Sequence, residues 1–252
     1  MIPTLELKKL KAFHKKPELK KKMIVEVLKH QKQDQIIQGS YGHQNGEWKG
    51  CAVACSLRSL AIVKKQELVE RYSDHKSYET ELGIPESLAH LEDYLFENMP
   101  KEKAKKWPAE FIKAIPVGAN LSLVAPKFIV GTLKEVVKLE RVKGDKVVVK
   151  AVLDVSKLWD RVINGKIVKE AAWSAAWSAA ESAAESAAWS AAWSAAWSAA
   201  ESAARSAARS AARSAAESAA WSAAESAAES AARSAAAYTM SRRLLKILRA
   251  SK

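Results

Sequence analysis

From Trp173 to Ala236 the chain repeats one four-residue unit, x-Ser-Ala-Ala, in which x is Trp, Glu or Arg. Ala is the strongest helix former, with Glu and Arg close behind, and its abundance outweighs the few tenths of a kcal/mol that Ser and Trp each cost. The last Pro is Pro126 and the last Gly is Gly165, so nothing breaks a helix beyond that point. The repeat therefore predicts a very long C-terminal α-helix, about 96 Å over 64 residues at 1.5 Å per residue. A β-solenoid is the alternative. Ala is poor in strands, and no large residue is available to fill such a core.

A period of four overshoots 3.6, so the x stripe drifts by about 40° per repeat and favours a right-handed wrap. Six x positions are Trp: Trp173, Trp177, Trp189, Trp193, Trp197 and Trp221. That much aromatic surface on a thin helix points to an interface. Folding the series antiparallel about the midpoint of Glu201 and Arg205 sets Trp197 against Arg209, Trp193 against Arg213 and Trp173 against Arg233, each a cation–π pair. The same alignment brings Glu181 against Glu225. A homo-oligomer is expected, with Trp173, Trp177, Trp189, Trp193, Trp197, Arg205, Arg209, Arg213 and Trp221 at its interface.

The rest of the chain reads as mainly α: a helical globular head over 1–168, the repeat helix over 169–237 and a basic amphipathic tail over 238–252. Helices are expected from Pro17 to about Gln35, Cys51 to Lys64, Pro85 to Asn98, Glu102 to Ile115 (with Pro108 kinking or dividing it) and Pro126 to about Arg141. Asp145–Ile163 is ambiguous: Val147-Val148-Val149 favours strand, whereas Ala151–Val162 has helical spacing. In the tail, Leu244, Leu245, Ile247 and Leu248 share an apolar face flanked by Arg242, Arg243, Lys246 and Arg249. Docking on the head is the expectation, and a membrane-surface helix the alternative. No run of about 18 apolar residues suits a transmembrane span.

The net charge is +13. Lys8, Lys9, Lys11, Lys15, Lys16, Lys20, Lys21 and Lys22 crowd the N-terminus. The field could draw an anionic small molecule or nucleic acid, but no aromatics interleave with these lysines as a single-strand binder would require. Gly46, Lys49 and Gly50 before a helix start, together with Lys20, Lys21 and Lys22, form the candidate ligand-binding set. The two cysteines imply no disulfide framework and suggest a reducing, cytoplasmic setting.

Cys51 starts a helix, where the dipole favours a thiolate. Gln44 upstream and His75 or His90 downstream give an order similar to papain-like cysteine hydrolases, although Gln44 is one residue too far from Cys51. The simpler reading makes Cys51 and Cys55 small core residues on one helix face. As a metal pair with His43 or His30 they lack a second Cys pair, and the histidines show no ligand spacing. No metal, cofactor or catalytic residue is expected, with Cys51, Gln44, His75 and His90 as the enzymatic alternative.

Four segments in order carry a resemblance: Gly50-Cys51-Ala52-Val53-Ala54-Cys55 after Ile36–Tyr41; Glu81-Leu82-Gly83-Ile84-Pro85 leading to Leu91-Glu92-Asp93; Trp107-Pro108 with Ala114–Asn120; and the Ala/Ser-rich tail. Together they resemble a family of uncharacterised proteins from tailed phages and bacterial genomes. Where that family commonly has Gly before the second Cys, this chain has Ala54. The resemblance implies a phage or prophage context and no assigned reaction. The overall expectation is a non-enzymatic, oligomeric protein that binds or sequesters a host factor or an anionic small molecule, with counter-defence as a possible role. A Cys51 hydrolase and a purely structural scaffold are the alternatives.

Overall fold

The computed structural model describes residues 10–42, 46–69, 71–138, 144–166, 168, 171–172, 175–176 and 214–252, the side chains of 214–230 and 232 excepted. It is mainly helical, with no β-strand among the described residues. The helices are α1 (Pro17–Lys32), α2 (Ala52–Lys64), α3 (Lys76–Leu82), α4 (Glu86–Asn98), α5 (Lys101–Ala104), α6 (Trp107–Ala114), α7 (Val124–Val136), α8 (Lys146–Ile163) and α9 (Ser214–Arg249). None of them is long and apolar enough to cross a membrane.

Proline sets several of the starts. Pro17 opens α1, Pro85 is the residue before α4, and Pro108 lies in the first turn of α6, positions where a missing N–H costs no intrahelical bond. The stretch expected as one helix from Glu102 is thus two, α5 and α6. Pro126 lies within the first turn of α7, not at its start. The ambiguous 145–163 segment is helical because Asp145 caps it: its carboxylate accepts the Val147 and Val148 N–H groups at 3.0 and 3.1 Å. That cap outweighs the strand preference of the three valines.

The chain forms two compact units. One holds residues 3–128 together with 232–252; the other holds 129–231. The first unit takes in the chain's end. Its central element is α2, nearly all of whose side chains are buried, from Ala52 through Ala61. Small residues on α2 let its neighbours approach closely, and α1, α4 and α6 pack against it. Around them lie Met23, Val27, Leu88, Leu95, Phe96, Trp107, Phe111 and Ile112, all buried.

The basic tail is the end of α9 and docks on the head. Ala237, Leu244, Leu245 and Leu248 join the same core, and the Asn120 N–H donates to the Lys252 carbonyl at 2.9 Å. Arg242 pairs with Glu110 at 3.0 Å, and the Lys103 ammonium lies 5.3 Å from the Tyr238 ring centroid. In the second unit Lys134 of α7 pairs with Asp160 of α8 at 3.3 Å. Repeats from Glu217 to Ala236 lie in α9, while residues 177–213 fall outside the described residues. Trp173, Trp177, Trp189, Trp193, Trp197, Arg205, Arg209 and Arg213 fall outside the described residues, as does the side chain of Trp221.

Candidate functional site

The 36–50 loop is pinned at both ends. Ile36 and Gly50 form a parallel bridge, with the Ile37 N–H donating to the Gly50 carbonyl and the Gly50 N–H to the Gln35 carbonyl, both at 2.9 Å. Its middle is tied to the end of α4: the Gln38 amide donates to the Phe96 and Met99 carbonyls at 2.6 and 2.9 Å, and the Gly39 N–H to Glu97 Oε2 at 2.7 Å. This brings Tyr41 to Asp93, whose Oδ2 accepts the tyrosine hydroxyl at 2.7 Å.

Asp93 is the hub. His75, just before α3, places Nε2 3.2 Å from the same Oδ2 and Nδ1 3.1 Å from the Ser73 carbonyl. Both partners are acceptors, so whichever ring nitrogen carries the proton donates to one of them. The His75 ring stacks on His90, with centroids 4.1 Å apart and planes 12° from parallel, and His90 turns its Nε2 toward Glu86 at 3.7 Å. From α2, Cys51 completes the group. Its sulfur, an Asp93 oxygen and a Glu97 oxygen all lie within 4.8 Å of one another. Asp93 and Glu97, four residues apart, share one face of α4. Cys51 and Asp93 are buried, while Glu97 reaches solvent.

The electrostatics follow from burial and like charge. Burial pushes the Cys51 thiol well above its ordinary value, and the Asp93 charge adds to this; backbone N–H groups at the start of α2 pull the other way and lose. The thiolate expected from the helix dipole is therefore not what the site favours. Burial also raises Glu97, with Asp93 contributing. The hydrogen bond to Asp93 raises the Tyr41 hydroxyl, which stays a donor. Beneath the cluster, Glu92 is fully buried. Burial raises it well above the carboxylate range against the opposing pull of the Tyr78 hydroxyl.

Of the hydrolase set, the structure brings together Cys51, His75 and, by stacking, His90; Gln44 falls outside the described residues, as does His43. The group that Cys51 and His75 share is a carboxylate, whereas nucleophile activation needs an imidazole between the two. Cys55 faces away: its thiol donates to the Gly50 carbonyl at 3.4 Å within the core. His30 is buried against Gln35, whose side-chain oxygen is 2.6 Å from Nδ1.

The ligand-binding set is not brought together. The Gly50 N–H is taken by Gln35, beyond the C-terminal end of α1. Lys20, Lys21 and Lys22 lie in the first two turns of that helix, about 15 Å away along its axis. Lys20 is committed elsewhere, donating to the Lys113 and Ile115 carbonyls at 2.9 and 2.6 Å and so capping α6. Gly46 and Lys49 stay on the loop before α2. A groove of about 460 Å³ does open beside α1, lined by Lys15, Lys16, Pro17, Glu18, Leu19, Lys22 and Val63.

Sequence reasoning missed Tyr41, Asp93 and Glu97 as site residues. The available signal was the pair of carboxylates at helical spacing, Asp93 and Glu97, the first of which ends a segment already singled out, Leu91-Glu92-Asp93. No protein-family model matches the chain, and no curated protein or solved structure is detectably similar to it.

Proposed function

We propose that the protein acts by binding and not by turnover, as a helical head that sequesters a host factor or small ligand and is multiplied by self-association of its repeat segment. The observation that carries this reading is the state of Cys51. It is fully buried, burial and the Asp93 charge raise its thiol well above the ordinary value, and among the described residues its partner is the Asp93 carboxylate and not an imidazole. The phage or prophage setting rests on the resemblance of the ordered motifs and gives the binding a host-directed purpose.

An anionic small molecule suits the groove beside α1, whose lining sets three cations, Lys15, Lys16 and Lys22, against one carboxylate, Glu18, with the apolar Pro17, Leu19 and Val63. Calorimetric titration with nucleotides and short oligonucleotides at low and physiological salt tests this. Binding that weakens with salt and falls in Lys16→Glu/Lys22→Glu supports the groove; no binding at either salt removes the anionic ligand.

The hydrolase reading has one observation in its favour, the meeting of Cys51, Asp93 and His75 at the start of α2. Iodoacetamide labelling of the native protein near pH 7 separates the two. A nucleophile labels Cys51 rapidly, whereas the binding reading expects labelling only on unfolding.

A further inference from the structure

The cluster around Asp93 has a property that neither reading uses. Asp93 is only 8% exposed, and its Oδ2 is occupied by Tyr41 and His75, yet Oδ1 is buried without a hydrogen-bond partner among the described residues. A buried polar atom left unpaired is costly, and carboxylate oxygens are rarely left so. Glu97 brings a second carboxylate alongside, and the Cys51 thiol, a weak donor, faces the pair from α2. Two acidic groups and a sulfur thus converge, with no Lys or Arg paired to either acid among the described residues.

We propose that Cys51, Asp93 and Glu97 form a binding site for a borderline divalent transition-metal ion of the zinc type. The three donor atoms already lie within 4.8 Å of one another, a small adjustment from the spacing of ligands around one such ion. The sulfur selects against magnesium and calcium, which take oxygen ligands. Supporting bonds fix the carboxylates in place. Tyr41 and His75 hold Asp93 Oδ2, and the Gly39 N–H holds Glu97 Oε2, so each acid is oriented by a partner of its own. Glu97 reaches solvent and offers an entry path. On binding, the Cys51 S–H bond breaks, the sulfur's electron pair goes to the metal and the proton leaves to water.

This inference rests on the binding reading only in treating Cys51 as something other than a nucleophile. Rapid iodoacetamide labelling would sink that reading, whereas cobalt titration tests the metal alone. The full chain, stripped with chelator and kept reduced with a phosphine, is titrated with Co²⁺ as a spectroscopic stand-in for Zn²⁺. The expected result is a saturable thiolate-to-cobalt charge-transfer band at one equivalent, bleached by Zn²⁺. The band should vanish in Cys51→Ser and survive in Cys55→Ser, and Asp93→Asn should weaken binding about 10- to 100-fold. Circular dichroism of each variant confirms that it is folded. No band with folded wild-type protein, or a band that persists in Cys51→Ser, overturns the proposal.

Discussion

Gly50 lies against Ala54 with no room for a side chain between them. A Cβ on Gly50 would stand 2.8 Å from the Ala54 Cβ and 3.0 Å from two ring carbons of Trp48. The first of these atoms is on a helix and the others on a buried indole, so neither gives way freely. This contact ties the bridge between Gly50 and Ile36 to the first turn of α2, and so fixes where Cys51 sits.

Gly50→Ala should therefore destabilise the head by about 1–3 kcal/mol through overpacking. Adding Ala54→Gly should recover part of the loss, since it removes one of the two clashes and leaves Trp48. Urea denaturation of the two variants measures both effects, and equal stability of Gly50→Ala and wild type would contradict the packing described.

The docked end of α9 makes a second prediction. Leu245 is fully buried, so Leu245→Ala should cost about 2–5 kcal/mol. Arg242→Ala removes an ion pair between half-exposed side chains and should cost less than about 1 kcal/mol. Thermal unfolding of the two variants should rank them in that order.

Glu92 sets a pH dependence. Its folded-state proton affinity is raised well above the unfolded value, chiefly by burial. The folded state thus binds the extra proton, and the stabilisation is complete below the ordinary glutamate range and lost as pH rises through the elevated one. Glu92→Gln, neutral at every pH, should match wild type near pH 4 and gain on it steadily toward alkaline pH. Melting temperatures across that range check the sign; a variant that loses ground as pH rises would refute it.

Much of the helical layout was legible because proline and capping residues act locally. Pro17, Pro85 and the run of small apolar residues after Cys51 each place a helix through contacts within a few residues. Asp145 was visible too, but its weight against Val147-Val148-Val149 depends on a bond that propensity does not count. The candidate site was not legible, because its geometry is long-range. Tyr41 meets Asp93 across 52 residues, and His75 meets it across 18. Only the bridge at Gly50 and the bonds from Gln38 and Gly39 to α4 bring these together, and no periodicity encodes them. Lys20 shows the reverse error: a lysine in a basic run reads as a binder of anions, yet it caps α6.

The repeat supplies a fourth prediction. If its segments pair antiparallel about Glu201 and Arg205, Arg209→Glu with Arg213→Glu loses two cation–π pairs and adds repulsion. Assembly mass by light scattering at micromolar concentration should fall. An unchanged mass would remove that pairing, and a wild-type monomer with fully water-like Trp emission would remove self-association itself.

Residues 232–252 fold into the same unit as 3–128, held there by Ala237, Leu244, Leu245 and Leu248 in its core. These side chains follow the last x-Ser-Ala-Ala unit, which ends at Ala236, so whole units can be gained or lost without removing any of those core contacts.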